Sequence, residues 1–253
     1  MIKKIFLLFS FLIAMNYTIL WAYDGDVHYK INENATSASK LNLILQEQLG
    51  LSNGQESNLK GKNAEGVEVT QKIWEWISYG GKAEDYGKKG EDDFISTRAY
   101  NHFHNPLEDW NNAGLNNLAL DNLYYLSYSE YPVSPILWGL NPGQQDFEKN
   151  TTGDWSWGKA KESFYVFLTG NSIDGDILAI TEDDRNAYFA DCFRSLGQTM
   201  HLLQDMSVPL HTRNDVHIFP IGKMEDYKIF WNYETYTLKN VQFLDYGITV
   251  IPA

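Results

Sequence analysis

The sequence predicts an all-α domain, and three observations carry that expectation. Apolar residues recur at helical spacing in several separate segments, no region is rich in strand signals, and no repeat or low-complexity linker divides the chain. The clearest helix runs from Ala187 to Asp205, where Phe189, Cys192, Phe193, Leu196, Met200 and Leu203 line up and Pro209 follows the end.

The elements follow in order. Residues 1–22 read as a secretory signal peptide: Lys3 and Lys4 form a basic start, Ile5 to Ala14 is apolar apart from Ser10, and Ala22 suits the cut. The run is short for a membrane span, and an uncleaved anchor is the competing reading. Val27 to Leu49 has a helical pattern that Gly50 stops. Residues 52–66 are polar and read as a surface loop. Val67 to Tyr79 resumes a helical pattern through Val69, Ile73, Trp76 and Ile77, with Gly80 and Gly81 as its stop. Residues 82–111 have no steady period, a character that often accompanies function. Leu118 to Leu126 and Trp157 to Leu168 again read as helices, and the aromatic stretch Trp155 to Tyr165 reads as core. The mature domain is expected over 23–232. A tail over 233–253 is expected to be extended and to begin a further region.

Composition narrows the chemistry. A chain of 253 residues with 43% hydrophobic and 15% aromatic residues is globular and long enough for one substantial core. Its net charge of -13 repels duplex nucleic acid unless bound cations reverse the local field. Cys192 is the one cysteine, so an intrachain disulfide and a multi-cysteine zinc site are both excluded. Any metal must be held by histidine and carboxylate.

The strongest local signal is Gly197-Gln-Thr-Met-His201-Leu-Leu-Gln-Asp205-Met-Ser-Val-Pro209-Leu-His211. His201 and Asp205 stand four apart, on one face of the predicted helix, and Pro209 turns the chain so that His211 can return to the same end. Leu196, Met200 and Leu202 flank the pair, which places it in a partly buried setting where an unpaired Asp is costly. Two imidazoles and a carboxylate at a helix end suit zinc.

This stretch resembles the ligand helix of the zinc-dependent phospholipases C and related single-strand-specific nucleases, which carry His, Asp and His at these intervals with Pro two before the last His. Arg98-Ala-Tyr-Asn-His102-Phe-His-Asn-Pro106 is similar to that superfamily's His-Phe-Tyr-Asp-Pro segment, with His104 standing for Tyr and Asn105 for Asp. Gly81-Lys-Ala-Glu-Asp85-Tyr resembles the segment with the metal-proximal Asp, and Asp92 or Asp93 are the alternatives to Asp85. The superfamily also uses the α-amino group and carbonyl of its first mature residue together with a nearby His. Tyr23, five before His28, takes that place here, with Trp21 as rival.

The resemblance implies a multi-helix fold with a metal site between helices and about two to three zinc ions that activate a water. The implied ligands are Tyr23, His28, Asp85, His102, His201, Asp205, His211, His217 and Glu225, with Asp226 as substitute for the last. Asp85 is also the implied catalytic residue. The region after His211 departs from the pattern, because Ile221 stands where the His-x3-Glu motif needs Glu. The implied activity is phosphodiester hydrolysis, phospholipase C-like, by an exported protein of the periplasm or extracellular space. Its partners would be a phospholipid or other phosphodiester and a membrane surface. A single-strand-specific nuclease and a non-catalytic metal-binding exported protein are the alternatives.

Overall fold

Where the apolar stripes meet decides the architecture. The computed structural model describes residues 25–85, 97–115, 132–147 and 153–212. Its elements are α1 (Gly25–Ala38), α2 (Leu41–Glu47), a 3-10 turn at Gly54–Glu56, β1 (Asn58–Lys62), β2 (Glu68–Lys72) and α3 (Ile73–Ala83). Then come α4 (Thr97–Tyr100), α5 (Pro135–Leu140), a 3-10 turn at Gln144–Phe147, α6 (Trp157–Thr169), α7 (Glu182–Asp205) and α8 (Pro209–Thr212). The described protein is mostly helical with one two-stranded antiparallel hairpin. None of its described helices is long and apolar enough to cross a membrane.

Helix α7 is the axis. Thr181 starts it with a capping box: its hydroxyl accepts from Asp184 N at 3.1 Å and its own N–H donates to Asp184 at 2.9 Å. The helix therefore begins five residues before Ala187. Its first half buries Phe189, Ala190 and Phe193 against Leu45, Leu59, Ile73, Trp76 and Ile77. Phe189 stacks on Phe167 of α6 with ring centroids 3.9 Å apart. Each large apolar side chain buried in this way contributes roughly 1.5–3 kcal/mol.

Four expectations need correction. The segment Val27 to Leu49 is two helices, because Ser39 turns its N–H and its hydroxyl onto Thr36 O and ends α1. The stretch from 52 to 72 is not a loop leading into a helix: it is a hairpin that pairs Asn58 with Lys72 and Lys62 with Glu68. Asn63 Oδ1 accepts from the N–H of Glu65 and of Val67, and Gly66 at φ 74° completes the turn. The β-branched Val69 and Thr70 suit the strand, so helix α3 begins only at Ile73. Gly80 and Gly81 do not stop α3. A Cβ on Gly80 would lie 2.2 Å from Arg194 O, and one on Gly197 would lie 2.0 Å from Ile77 O. These glycines let α3 and α7 cross almost backbone to backbone. Finally, Trp157 and Tyr165 of the aromatic stretch are exposed, while Phe164 packs on the core. The expected signal peptide, the helix at Leu118 to Leu126 and the tail from 233 lie outside the described residues.

Candidate metal centre

The C-terminal half of α7 carries a different load. His201 and Asp205 project from it at the end where α1, the end of α3, the segment after α4 and α8 converge. His28 comes from the first half of α1, Asp85 from just past α3, His102 from just past α4 and His211 from α8. All six residues are buried, none more than 3% exposed. Tyr23, His217 and Glu225, and the alternatives Trp21, Asp92, Asp93 and Asp226, lie outside the described residues.

Asp205 is the hub. Its Oδ1 lies 3.3 Å from His28 Nε2, while its Oδ2 lies 2.9 Å from His102 Nδ1, 3.0 Å from His201 Nε2 and 3.7 Å from His211 Nδ1. The two oxygens thus face two different sets of imidazoles. Asp85 Oδ1 lies 3.4 Å from His201 Nε2 and 3.7 Å from His102 Nδ1. The rings are packed closely: His28 stacks on His201 with centroids 3.6 Å apart, and Phe103 stacks on His211 at 4.3 Å.

The second nitrogen of each ring decides what the first can do. His201 Nδ1 donates to Gly81 O at 2.6 Å, His211 Nδ1 to His102 O at 2.9 Å and His28 Nδ1 to Gln204 Oε1 at 2.8 Å. A carbonyl can only accept, so Nδ1 holds the proton in His201 and His211, and Nε2 keeps its lone pair. His102 is turned the other way. Its Nδ1 faces the cluster, and its Nε2 lies 3.7 Å from Glu84 Oε1. Glu84 is itself bound by Arg98 at 2.6 Å and by the Trp138 indole at 2.8 Å.

Burial on its own would raise the Glu84 carboxyl, but Arg98 and His102 hold it down at about 2. For His102, burial works against the charged form, yet the bond to Asp205 and the nearby Glu84 carboxylate win and push it up to about 10. Burial and the neighbouring His28 lower His201 to about 4, against the pull of Asp205. Burial would raise Asp205 as well, and His201, His211 and His28 together hold it well below the usual carboxylate range. Carboxylates this deep demand a positive partner, either an imidazole proton or a bound cation in its place.

These donors fit a metal ion. His28, His201 and Asp205 form one group whose ligand atoms lie within 4.8 Å of one another, and Asp85, His102 and His201 form a second. Backbone carbonyls behind the imidazoles fix which nitrogen is offered, the usual arrangement behind metal-bound histidine. Asp205 Oδ1 is buried without a hydrogen bond. An all-nitrogen and oxygen donor set suits zinc or a similar divalent cation.

Sequence reasoning missed Glu84, Gly81 and Gln204 as parts of the site. The available signals were slight: Glu84 adjoins Asp85, and Arg98 stands four before His102. His104 is buried beside the donors without joining them. Its Nδ1 lies 3.0 Å from Ser134 Oγ, its N–H donates to His211 O at 2.9 Å, and burial lowers its pKa. Comparison with protein-family models, with curated proteins and with solved structures gives no match.

Proposed function

We propose that this protein is a zinc-dependent phosphodiester hydrolase, phospholipase C-like, acting outside the cytoplasm. The observation that carries the reading is Asp205, buried with one oxygen toward His28 and the other toward His102 and His201. That is the disposition of a carboxylate shared by two ions. The donors would divide into Asp85, His102, His201 and Asp205 for one zinc, and His28, Asp205 and the amino group of a mature Tyr23 for another. A further zinc would draw on His211, His217 and Glu225. Bound zinc supplies Lewis acidity and lowers the pKa of a coordinated water toward neutrality. Asp85 would orient that water and accept its proton, and the cluster's cationic character would attract an anionic phosphodiester to an otherwise acidic protein.

A second reading, a non-catalytic metal-binding exported protein, draws on the depth of the site, since all six side chains are nearly closed to solvent. One experiment addresses both. Zinc per chain is measured by native mass spectrometry on protein beginning at Tyr23 and on the unprocessed form, alongside hydrolysis of a choline phospholipid and of single-stranded DNA. The proposal expects about three zinc ions, falling to about two in the precursor, with lipid hydrolysis. Bound zinc with neither hydrolysis favours the non-catalytic protein, DNA hydrolysis alone points to a nuclease, and no zinc in either form overturns the metal reading.

A further inference from the structure

His201 and His211 have their tautomers set directly by main-chain carbonyls. His28 does not: its Nδ1 meets the side-chain amide of Gln204 at 2.8 Å. An amide offers oxygen on one side and NH2 on the other, so by itself it fixes nothing. Asn32, one turn along α1 from His28, removes that freedom. Its Nδ2 donates to two main-chain carbonyls, Ile77 O of α3 at 3.0 Å and Gly197 O of α7 at 3.2 Å. Carbonyls only accept, so the NH2 of Asn32 must face them and its Oδ1 must face Gln204. Gln204 Nε2 donates to that Oδ1 at 2.7 Å, which leaves Gln204 Oε1 toward His28. A proton then sits on His28 Nδ1, and Nε2 is the nitrogen turned to Asp205 Oδ1, 3.3 Å away. That pair is satisfied by a ring proton on Nε2 or by a cation between the two atoms, and in either case Nε2 is the nitrogen on the Asp205 side.

From this chain of bonds we infer that Asn32 and Gln204 are positioning residues that force His28 to act as an Nε2 metal ligand beside Asp205. The inference rests on the metal reading above. The relay joins three helices, and a glycine makes room for it: a Cβ on Gly81 would lie 2.3 Å from Asn32 Nδ2. The same Gly81 gives its carbonyl to His201. Packing of α1 against α3 and α7 is therefore read out as the direction of one imidazole proton.

The test is zinc affinity of the full chain, by competition with a chromophoric chelator, for wild type, Gln204→Met and Gln204→Glu. Methionine keeps the bulk but cannot accept strongly from His28. Glutamate still accepts from Nδ1 but loses the donor that bonds Asn32 Oδ1, so it should keep the tautomer less firmly. The expected result is a roughly ten- to hundredfold weaker affinity for one zinc in Gln204→Met, with the others unchanged and affinity partly restored in Gln204→Glu. Equal affinities in wild type and Gln204→Met would overturn the relay while leaving the metal site standing. Equal losses in both variants would overturn it in favour of simple packing. No zinc binding by wild type would instead defeat the underlying metal reading. Nitrogen-15 NMR of His28 in metal-free wild type gives a check that needs no variant: a ring held in the Nδ1–H tautomer supports the relay, and an Nε2–H ring refutes it.

Discussion

The two halves of α7 both bury side chains, the second more of them than the first, and they are chemically opposite. Around Phe189 and Phe193 the helix packs on apolar side chains, and burial itself is the gain. Around His201 and Asp205 it meets imidazoles, a second carboxylate and carbonyl oxygens, and burial is a cost that bonds and cations must offset. The apolar half should tolerate a change of shape that keeps volume. The polar half should not tolerate even a change of one atom that keeps shape.

The largest expected effect tests that contrast directly. Asp205→Asn keeps the outline and removes the shared charge, and should abolish both zinc retention and hydrolysis; a variant that keeps its zinc and full activity would sink the assignment of Asp205. Next is Glu84→Leu, which leaves the fully buried Arg98 without its anionic partner. It should cost about 3–5 kcal/mol in denaturant unfolding, the range for breaking a buried ion pair. Gly197→Ala acts where the two halves join. Its new Cβ would press on Ile77 O and on the α3 crossing, for a loss of about 1–3 kcal/mol, together with weaker zinc binding as α3 shifts. Ile73→Leu, in the apolar cluster, should cost less than about 1.5 kcal/mol and leave zinc binding untouched. A cost equal to that of Glu84→Leu would erase the distinction between the halves.

The smallest effect depends on pH. Asp191, partly buried on α7, is pushed up to about 6 by burial, against the opposing charges of Arg194, Lys159 and Lys62. A folded-state pKa above the unfolded one favours the native protein most at low pH, and that advantage is lost as pH rises through about 6. Asp191→Asn should therefore raise Tm near neutral pH by roughly 2–4 °C, on the order of 1 kcal/mol, and the gain should vanish near pH 4. A gain independent of pH would point to some other cause.

Much of the helical order was legible in the sequence because it is local. The apolar spacing from Phe189 to Leu203 marked the axis, the pattern from Trp157 to Leu168 marked α6, and the four-residue interval from His201 to Asp205 put both on one face. The same local logic failed at Val69, where a short apolar run has no unique period and the turn chemistry of Asn63 and Gly66 prevailed. It failed again at Gly80 and Gly81. A glycine that ends a helix and one that admits a neighbouring backbone look identical until the neighbour is in place.

By itself the sequence determined which residue types were available: six histidines, abundant carboxylates, a lone cysteine and one helix long enough to carry both a core and a site. Only the tertiary structure decided that His28, Asp85 and His102, far from His201 in the chain, meet at Asp205. It alone decided which nitrogen each ring offers and that Glu84, beside Asp85, is taken up by Arg98 and Trp138. The physical reason is that helix propensity and periodicity act over a few residues, whereas the direction of a buried proton is set by whatever carbonyl the packing brings opposite it.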